Sequence, residues 1–192
     1  MEHTYKLYIV SLNGGEPVLL SSTADTEGTN TSIEDFQLTP DGNTVFFSYS
    51  DNGNGSRYLY SVPSNGGAKT KIIDSIFGFP DNYYFRISQD GKYIVHSVFD
   101  YGSQSGKLYS TDLSTLNTMT MTADMQYGGP GFYFSPDNNG VFFRGNAGIN
   151  SPMQLFQMPL TSTVATTVSV ASVLPVDNFD VPPLLHGNKV CV

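Results

Sequence analysis

Side chains that commonly act as nucleophiles or bases are few in this sequence. It has three histidines, His3, His96 and His186, and a single cysteine, Cys191. A nucleophile needs a base beside it, and its commonest sequence sign, a G-x-S-x-G elbow, is absent from the chain. His96 aligns with phenylalanines in the repeat described below, which predicts a packed core residue, whereas His186 is expected in an exposed turn. We therefore assign no catalytic residue and predict that the chain is not an enzyme.

Carboxylates recur at one position of a repeated turn. Asp41, Asp90 and Asp137 occupy this position, which is typical of aspartates that form turns. The segment 51–55 superficially resembles a calcium loop, but glycine occupies its third and fifth positions and no glutamate closes it. We therefore predict turn formers and a hairpin tip, and expect no metal site and no cofactor.

Aromatic residues in two connections between sheets are the best candidates for binding. The connections cover residues 76–84 and 124–130. Their rings can stack on a peptide or a sugar, and an arginine on the following strand can meet a carboxylate. The alternative is that these rings fill gaps between neighbouring sheets. The candidate binding residues are Tyr83, Tyr84, Arg86, Tyr127 and Asp35, with Glu34 beside the last.

The charge of the chain excludes one class of partner. Nine Lys and Arg against 17 Asp and Glu give a net charge of −8, and the basic residues are scattered singly. Nucleic-acid binding needs a basic patch or stripe, so no nucleic-acid partner is expected. No apolar run approaches the roughly 18 residues of a membrane span, and the N-terminus does not have the pattern of a signal peptide.

A repeat of 47 to 49 residues must position these side chains. Three segments share it: FQLTPDGNTVFF at 36–47, FRISQDGKYIVH at 85–96 and FYFSPDNNGVFF at 132–143. A second marker, a leucine followed by an aromatic residue, keeps the same spacing at Leu59, Leu108 and Leu155. Two markers with one period indicate a repeat architecture.

Each repeat predicts four short antiparallel strands. In the first full repeat these cover 33–39, 43–50, 57–63 and 68–74, joined by a Pro-Asp-Gly corner and by turns rich in Asn and Gly. One such sheet cannot bury both of its faces, and radial stacking of several sheets solves this problem. The sequence therefore predicts an all-β fold, a β-propeller of four-stranded antiparallel blades.

The chain contains about four blades' worth of repeat, as a single propeller domain or as part of one. Its last unit is expected to begin its first strand and turn at 179–183. The two half-blades are complementary, so a closed four-blade ring and a part of a larger propeller are both open, and an open ring could form oligomers. The predicted units are a half-blade at 5–23, blades at about 33–74, 82–122 and 131–171, and a half-blade at 177–192.

The repeat motifs resemble those of a known family. Thr39-Pro40-Asp41-Gly42, Ser135-Pro136-Asp137 and the stretch 12–17 (LNGGEP) look like the WD40-like (PD40) repeat of the TolB propeller, over about residues 5–190. The same repeat occurs in propellers of prolyl-oligopeptidase-type peptidases. The sequence departs from it at Gln89, which replaces the turn proline, and at Asn138-Asn139, which replace the Asp-Gly ending.

The resemblance implies a non-enzymatic scaffold that binds a protein or peptide, as TolB-like proteins do in envelope complexes, with a periplasmic or extracellular location. The alternative is the substrate-gating propeller of a serine peptidase whose catalytic domain is absent from this chain. A sugar-processing or lyase propeller is a third interpretation, although the clustered histidines and acidic residues that it needs are missing. Propellers of this type can hold an ion such as calcium in the central channel, but no ligands for one can be assigned.

Overall fold

A computed structural model shows an all-β chain. The structure describes residues 5–22, 31–51, 56–76, 82–100, 105–122, 125–126, 132–146, 154–168, 184–186 and 189–191. Every regular element within these ranges is a β-strand. These ranges contain no helix that is long and apolar enough to cross a membrane.

Three sheets follow the predicted order of strands, and every pairing within them is antiparallel. Sheet 1 consists of β3 (Thr31–Leu38), β4 (Thr44–Asp51), β5 (Ser56–Pro63) and β6 (Thr70–Ile76). Sheet 2 consists of β7 (Asn82–Ile87), β8 (Tyr93–Asp100), β9 (Ser105–Asp112) and β10 (Thr118–Thr120), with β11 (Met125–Gln126) also paired to β9. Sheet 3 consists of β12 (Phe132–Phe134), β13 (Gly140–Gly145), β14 (Gln154–Pro159) and β15 (Thr166–Thr167).

Two strand pairs precede and follow these sheets. The first is β1 (Lys6–Ile9) with β2 (Val18–Ser22), and the second is β16 (Leu184–His186) with β17 (Lys189–Cys191). The prediction for His186 was wrong, because this residue belongs to a strand and pairs with Lys189 rather than lying in a turn. The residues 179–183, where the first strand of this unit was expected to begin, lie outside the described part of the chain.

Both candidate connections, 76–84 and 124–130, include residues that pair as strands. Ile76 ends β6, and Asn82 already begins β7, so Tyr83 and Tyr84 lie in a strand and pair with Val98 and Ser97. In the second connection β11 pairs with β9. The physical reason is the same in both places. Buried backbone N–H and C=O groups need hydrogen-bond partners, and pairing with the neighbouring strand supplies them.

The chain divides into two compact units, Met1–Pro80 and Asp81–Val192. In the first unit the β1–β2 pair packs on sheet 1 through Leu7, Leu20, Val45, Phe47 and Val62. In the second unit sheet 2 packs on sheet 3. This larger core contains Val95, Leu108, Met121, Phe132, Val141, Phe143, Phe156, Met158 and Leu160.

The outer strands are displaced opposite the recurrent leucine, which in β1 is Leu7, followed by Tyr8 as Leu59 is followed by Tyr60. The pairing register shifts directly after Leu7 and directly after Leu59, and opposite Leu108 the outer strand is interrupted between β10 and β11. A bulge adds one residue to a strand and turns its side chain. The added residues Leu20 and Met121 are both buried in the core of their unit. In the β1–β2 pair and in sheet 2, the displacement therefore adds an apolar side chain to the packing between sheets.

Candidate binding surface

The recurrent aspartates close the corners between first and second strands. The hydroxyl two residues before each carboxylate donates to its Oδ1, and the backbone N–H two residues after it donates to the same atom. The hydroxyl distances are 2.6 Å for Thr39–Asp41, 2.6 Å for Ser88–Asp90 and 2.5 Å for Ser135–Asp137. The backbone distances are 3.1 Å from Asn43, 3.2 Å from Lys92 and 3.1 Å from Asn139. These hydrogen bonds confirm the prediction that the aspartates form turns.

The same hydrogen bonds keep these carboxylates ionised. The Thr39, Ser88 and Ser135 hydroxyls are the largest cause that lowers the pKa of Asp41, Asp90 and Asp137 below the usual 3.8, and the backbone donors add to it. A hydrogen bond to the charged form favours that form. Because the pKa is lowered on folding, this stabilisation is complete above pH 3.8 and is lost as the pH falls through the folded value.

His96 is a core residue, as predicted. It is 2% exposed on β8, and its ring stacks on that of Tyr109 at 4.9 Å with an interplanar angle of 9°. Burial lowers the pKa of His96 to about 3, so the imidazole is neutral at physiological pH. A neutral ring inside the core packs like the phenylalanines at the same position of the other sheets.

Two candidate binding residues are brought together on β7. The guanidinium carbon of Arg86 lies 3.8 Å from the ring centroid of Tyr84, which is a cation–π contact. The Tyr84 ring also meets the Phe132 ring edge-on, with centroids 5.5 Å apart and an interplanar angle of 78°. Tyr84 therefore joins the packing between sheets 2 and 3 and at the same time supports Arg86.

Asp35 lies in the first unit and is placed by the backbone of β3. Its N–H donates to Ser48 Oγ at 3.2 Å, and its own Oδ1 accepts the N–H of Phe36 at 2.9 Å. The carboxylate thus helps to order the strand on which it lies. Tyr83 has a described backbone in β7 but no described side chain, and Tyr127 lies outside the described residues.

Glu34 forms an ionic cluster with Arg57, a residue that the sequence patterns did not single out. The register of β3 against β4 shifts between Ile33 and Asp35, so Glu34 is the extra residue of a bulge. Its carboxylate forms a salt bridge with Arg57 and accepts the Ser50 hydroxyl at 2.7 Å. Two consecutive acidic residues that interrupt the alternation after Ile33 were the available sign of this bulge.

Arg86 holds a planar guanidinium against the Tyr84 ring while its Nη1 donates to the Phe85 carbonyl at 3.2 Å. Guanidinium groups suit carboxylates. In the described ranges no three His, Cys, Asp or Glu side chains converge as metal ligands.

Comparison with solved structures identifies the architecture. A TolB-type protein of Agrobacterium tumefaciens matches with a TM-score of 0.60 at 21% identity, over 86% of this chain and 55% of that one. A structure of prolyl endopeptidases matches with a TM-score of 0.63 at 14% identity, over 86% of this chain and 26% of that one. Oligogalacturonate lyase in complex with manganese matches with a TM-score of 0.58 at 18% identity, over 89% and 43%. These sheets are β-propeller blades.

The predicted resemblance is thereby confirmed as a likeness of fold. The propeller structures just named have different activities, and one propeller fold supports many functions. The chain spans at most 55% of their length. No protein-family model matches this sequence, and no curated protein matches it.

Proposed function

We propose that this propeller chain is a non-enzymatic scaffold that binds a protein or peptide, and that Arg86 on β7 contributes to the binding surface. The observation that carries the proposal is the guanidinium of Arg86 held 3.8 Å from the Tyr84 ring centroid, while Phe132 supports that ring from the side. Tyr84 and Arg86 are both half-buried, so the pair belongs partly to the core and partly to the surface.

Pre-organisation is the physical reason for choosing this pair. An arginine normally loses side-chain freedom when it binds, and a side chain already stacked on a ring loses less. Tyrosine and arginine are also the residue types that contribute most often to binding hot spots. A carboxylate of a peptide, either a side chain or the C-terminus, is the group that such an arginine recognises best.

The proposed location follows from the resemblance to TolB-like propellers. On that basis we place the protein in the periplasm or outside the cell, as part of an envelope complex. Export of the protein from its native host tests this location directly: recovery of the chain in the periplasmic or secreted fraction supports it, and recovery only in the cytosol contradicts it.

A second function is favoured by the likeness to a prolyl endopeptidase structure at a TM-score of 0.63. In that case the chain is the propeller portion of a serine peptidase. The reading frame beyond Val192 discriminates between the two functions. A following G-x-S-x-G segment supports the peptidase, and a reading frame without a hydrolase domain supports the scaffold.

Binding to an array of short peptides tests the scaffold. The array carries each peptide with a free C-terminal carboxylate or an amide, and with or without acidic side chains. We expect carboxylate-bearing peptides to bind, and we expect Arg86→Gln to weaken that binding about tenfold or more, because a buried or half-buried charged hydrogen bond is removed.

Lys92→Gln is the matched control. It removes the same charge from an exposed side chain on the corner of the same sheet, where the Lys92 ammonium lies 3.5 Å from Asp90. Circular dichroism checks that both variants are folded. If the folded Arg86→Gln variant binds as well as the original chain, the assignment of Arg86 is contradicted. Equal losses in both variants indicate that only net charge matters, which also contradicts it.

A further inference from the structure

A hydrogen bond joins the corners of two neighbouring sheets. The backbone N–H of Gln89, in the corner of sheet 2, donates to Oδ1 of Asn138, in the corner of sheet 3, at 3.1 Å. The two residues are 49 positions apart, and both belong to the unit Asp81–Val192. The bond is therefore a tie between repeats and is not part of either corner's own turn.

Each end of this bond depends on a departure from the repeat. The other two corners have Pro40 and Pro136 at the position of Gln89, and proline has no N–H to donate. The corners of sheets 1 and 2 have Gly42 and Gly91 at the position of Asn138, and glycine has no side chain that could accept a hydrogen bond. With the usual repeat residues at either end, this hydrogen bond cannot form.

The backbone conformation explains why asparagine fits at this position. Asn138 has φ 57°, close to the 74° of Gly42 and the 70° of Gly91, so all three corners need the left-handed region. Asparagine enters this region more easily than most other residues with a side chain. The corner of sheet 3 therefore keeps its geometry, with Ser135 and Asp137 bonded as in the other corners, and gains an acceptor.

We infer that Gln89 and Asn138 are a coupled pair that fixes sheet 3 as the neighbour of sheet 2 and holds the ends of their first strands together. Sheets built from similar repeats can pair with the wrong neighbour, and misassembly is a characteristic failure of repeat proteins. A bond that only one pair of corners can form discriminates against such alternatives. Together with the Tyr84–Phe132 contact, it holds the first strands of sheets 2 and 3 at two points.

A double-mutant cycle with Gln89→Pro and Asn138→Gly tests the coupling. In the original chain, Asn138→Gly should lower the folding equilibrium constant by about 2- to 10-fold more than it does in the Gln89→Pro variant, which corresponds to one net hydrogen bond. Purely additive effects overturn the inference. Gly91→Asn, which places the same side chain at the same corner position of sheet 2, measures the cost of asparagine in this conformation.

Amide hydrogen exchange of Gln89 supplies a readout that does not need the proline variant to fold. We expect Asn138→Gly to increase its exchange rate by about 2- to 10-fold, and Asn138→Asp, which keeps an acceptor oxygen, to retain most of the protection. The Gly91 amide, which donates to Ser88 O at 2.9 Å within the corner, should exchange at the same rate in both variants. An unchanged Gln89 rate in Asn138→Gly overturns the inference.

Discussion

At the scale of single residues, one aromatic pair recurs between the second and third strands of each sheet. The rings stack with interplanar angles of 18°, 9° and 16°. The pairs are Phe47–Tyr60, His96–Tyr109 and Phe143–Phe156. Stacked aromatic pairs contribute beyond the area that they bury, so the position selects for a flat ring. The histidine ring is also flat, but burial disfavours its charged form, and that makes sheet 2 sensitive to pH.

We therefore predict that His96→Phe removes a pH dependence of stability. The unfolded histidine has a pKa near 6.5, and burial lowers the folded value to about 3. Between these values the unfolded state binds more protons, so the free energy of unfolding falls as the pH falls below 6.5. At pH 5 this loss amounts to about 2 kcal/mol. Urea unfolding at pH 7.5 and pH 5 should show the loss in the original chain and a smaller loss in the variant.

Phe143→His provides the converse test, because it places a histidine at the same buried position of sheet 3, where Phe143 is 2% exposed. We expect it to add a second loss of stability between pH 7.5 and pH 5. A His96→Phe variant that keeps the full pH dependence contradicts the role assigned to burial of His96.

At the scale of elements, the interrupted outer strand of sheet 2 shows how a displaced strand keeps its hydrogen bonds. The Leu108 carbonyl accepts the Met121 N–H at 2.8 Å, and the Leu108 N–H donates to the Thr122 hydroxyl at 2.9 Å. The Thr122 side chain thus replaces a backbone carbonyl that the interruption removes. Met121 can then turn into the core, where it is 1% exposed, without leaving the Leu108 N–H unpaired.

Thr122→Val should destabilise the chain by about 1–3 kcal/mol, because valine has nearly the same shape but leaves a buried N–H without its acceptor. Thr120→Val is the control on the neighbouring strand, since the Thr120 side chain is exposed, and we expect a change within about 0.5 kcal/mol. Urea unfolding of both variants checks the prediction. Equal stabilities of the two valine variants contradict the role of the Thr122 hydroxyl.

Local sequence signals predicted the strands and corners but not the bulges. The Thr39–Asp41 corner follows from turn chemistry within a few residues, and the strands of sheet 1 end within two residues of their predicted positions. Glu34 and Met121 depend instead on how a strand is paired with its neighbour. Strict alternation assumes an unbroken register, so it cannot indicate that Glu34 reaches Arg57.

The candidate site was predicted in part for the same reason. Tyr84 and Arg86 are two residues apart on one strand and therefore share a face, which makes their contact foreseeable from alternation alone. The contact of Tyr84 with Phe132 joins two sheets, and no local pattern specifies which rings meet across such an interface.

At the scale of the whole molecule, each of the two units is stabilised where one sheet covers the next, and Phe132 and Phe36, at the same repeat position, report on that cover within their own units. Phe132 is 1% exposed, whereas Phe36 is 61% exposed. Phe132 meets Tyr84 on the first strand of sheet 2. The β1–β2 pair packs on sheet 1, and its Leu7-Tyr8 marker matches the third strand of a repeat, so the pair corresponds to third and fourth strands. Among the described strands of the first unit, none therefore lies beside Phe36 as β7 lies beside Phe132.

The same substitution should therefore have unequal costs in the repeats. Phe132→Ala removes a ring from a filled interface and should destabilise the chain by about 3–5 kcal/mol, because both its burial and its packing are lost. Phe36→Ala should cost less than about 1 kcal/mol, since most of that ring already faces solvent. Urea unfolding of the two alanine variants measures both values. Because the two phenylalanines hold the same repeat position, equal costs would mean that Phe36 is covered in solution and that a further strand or chain packs beside sheet 1.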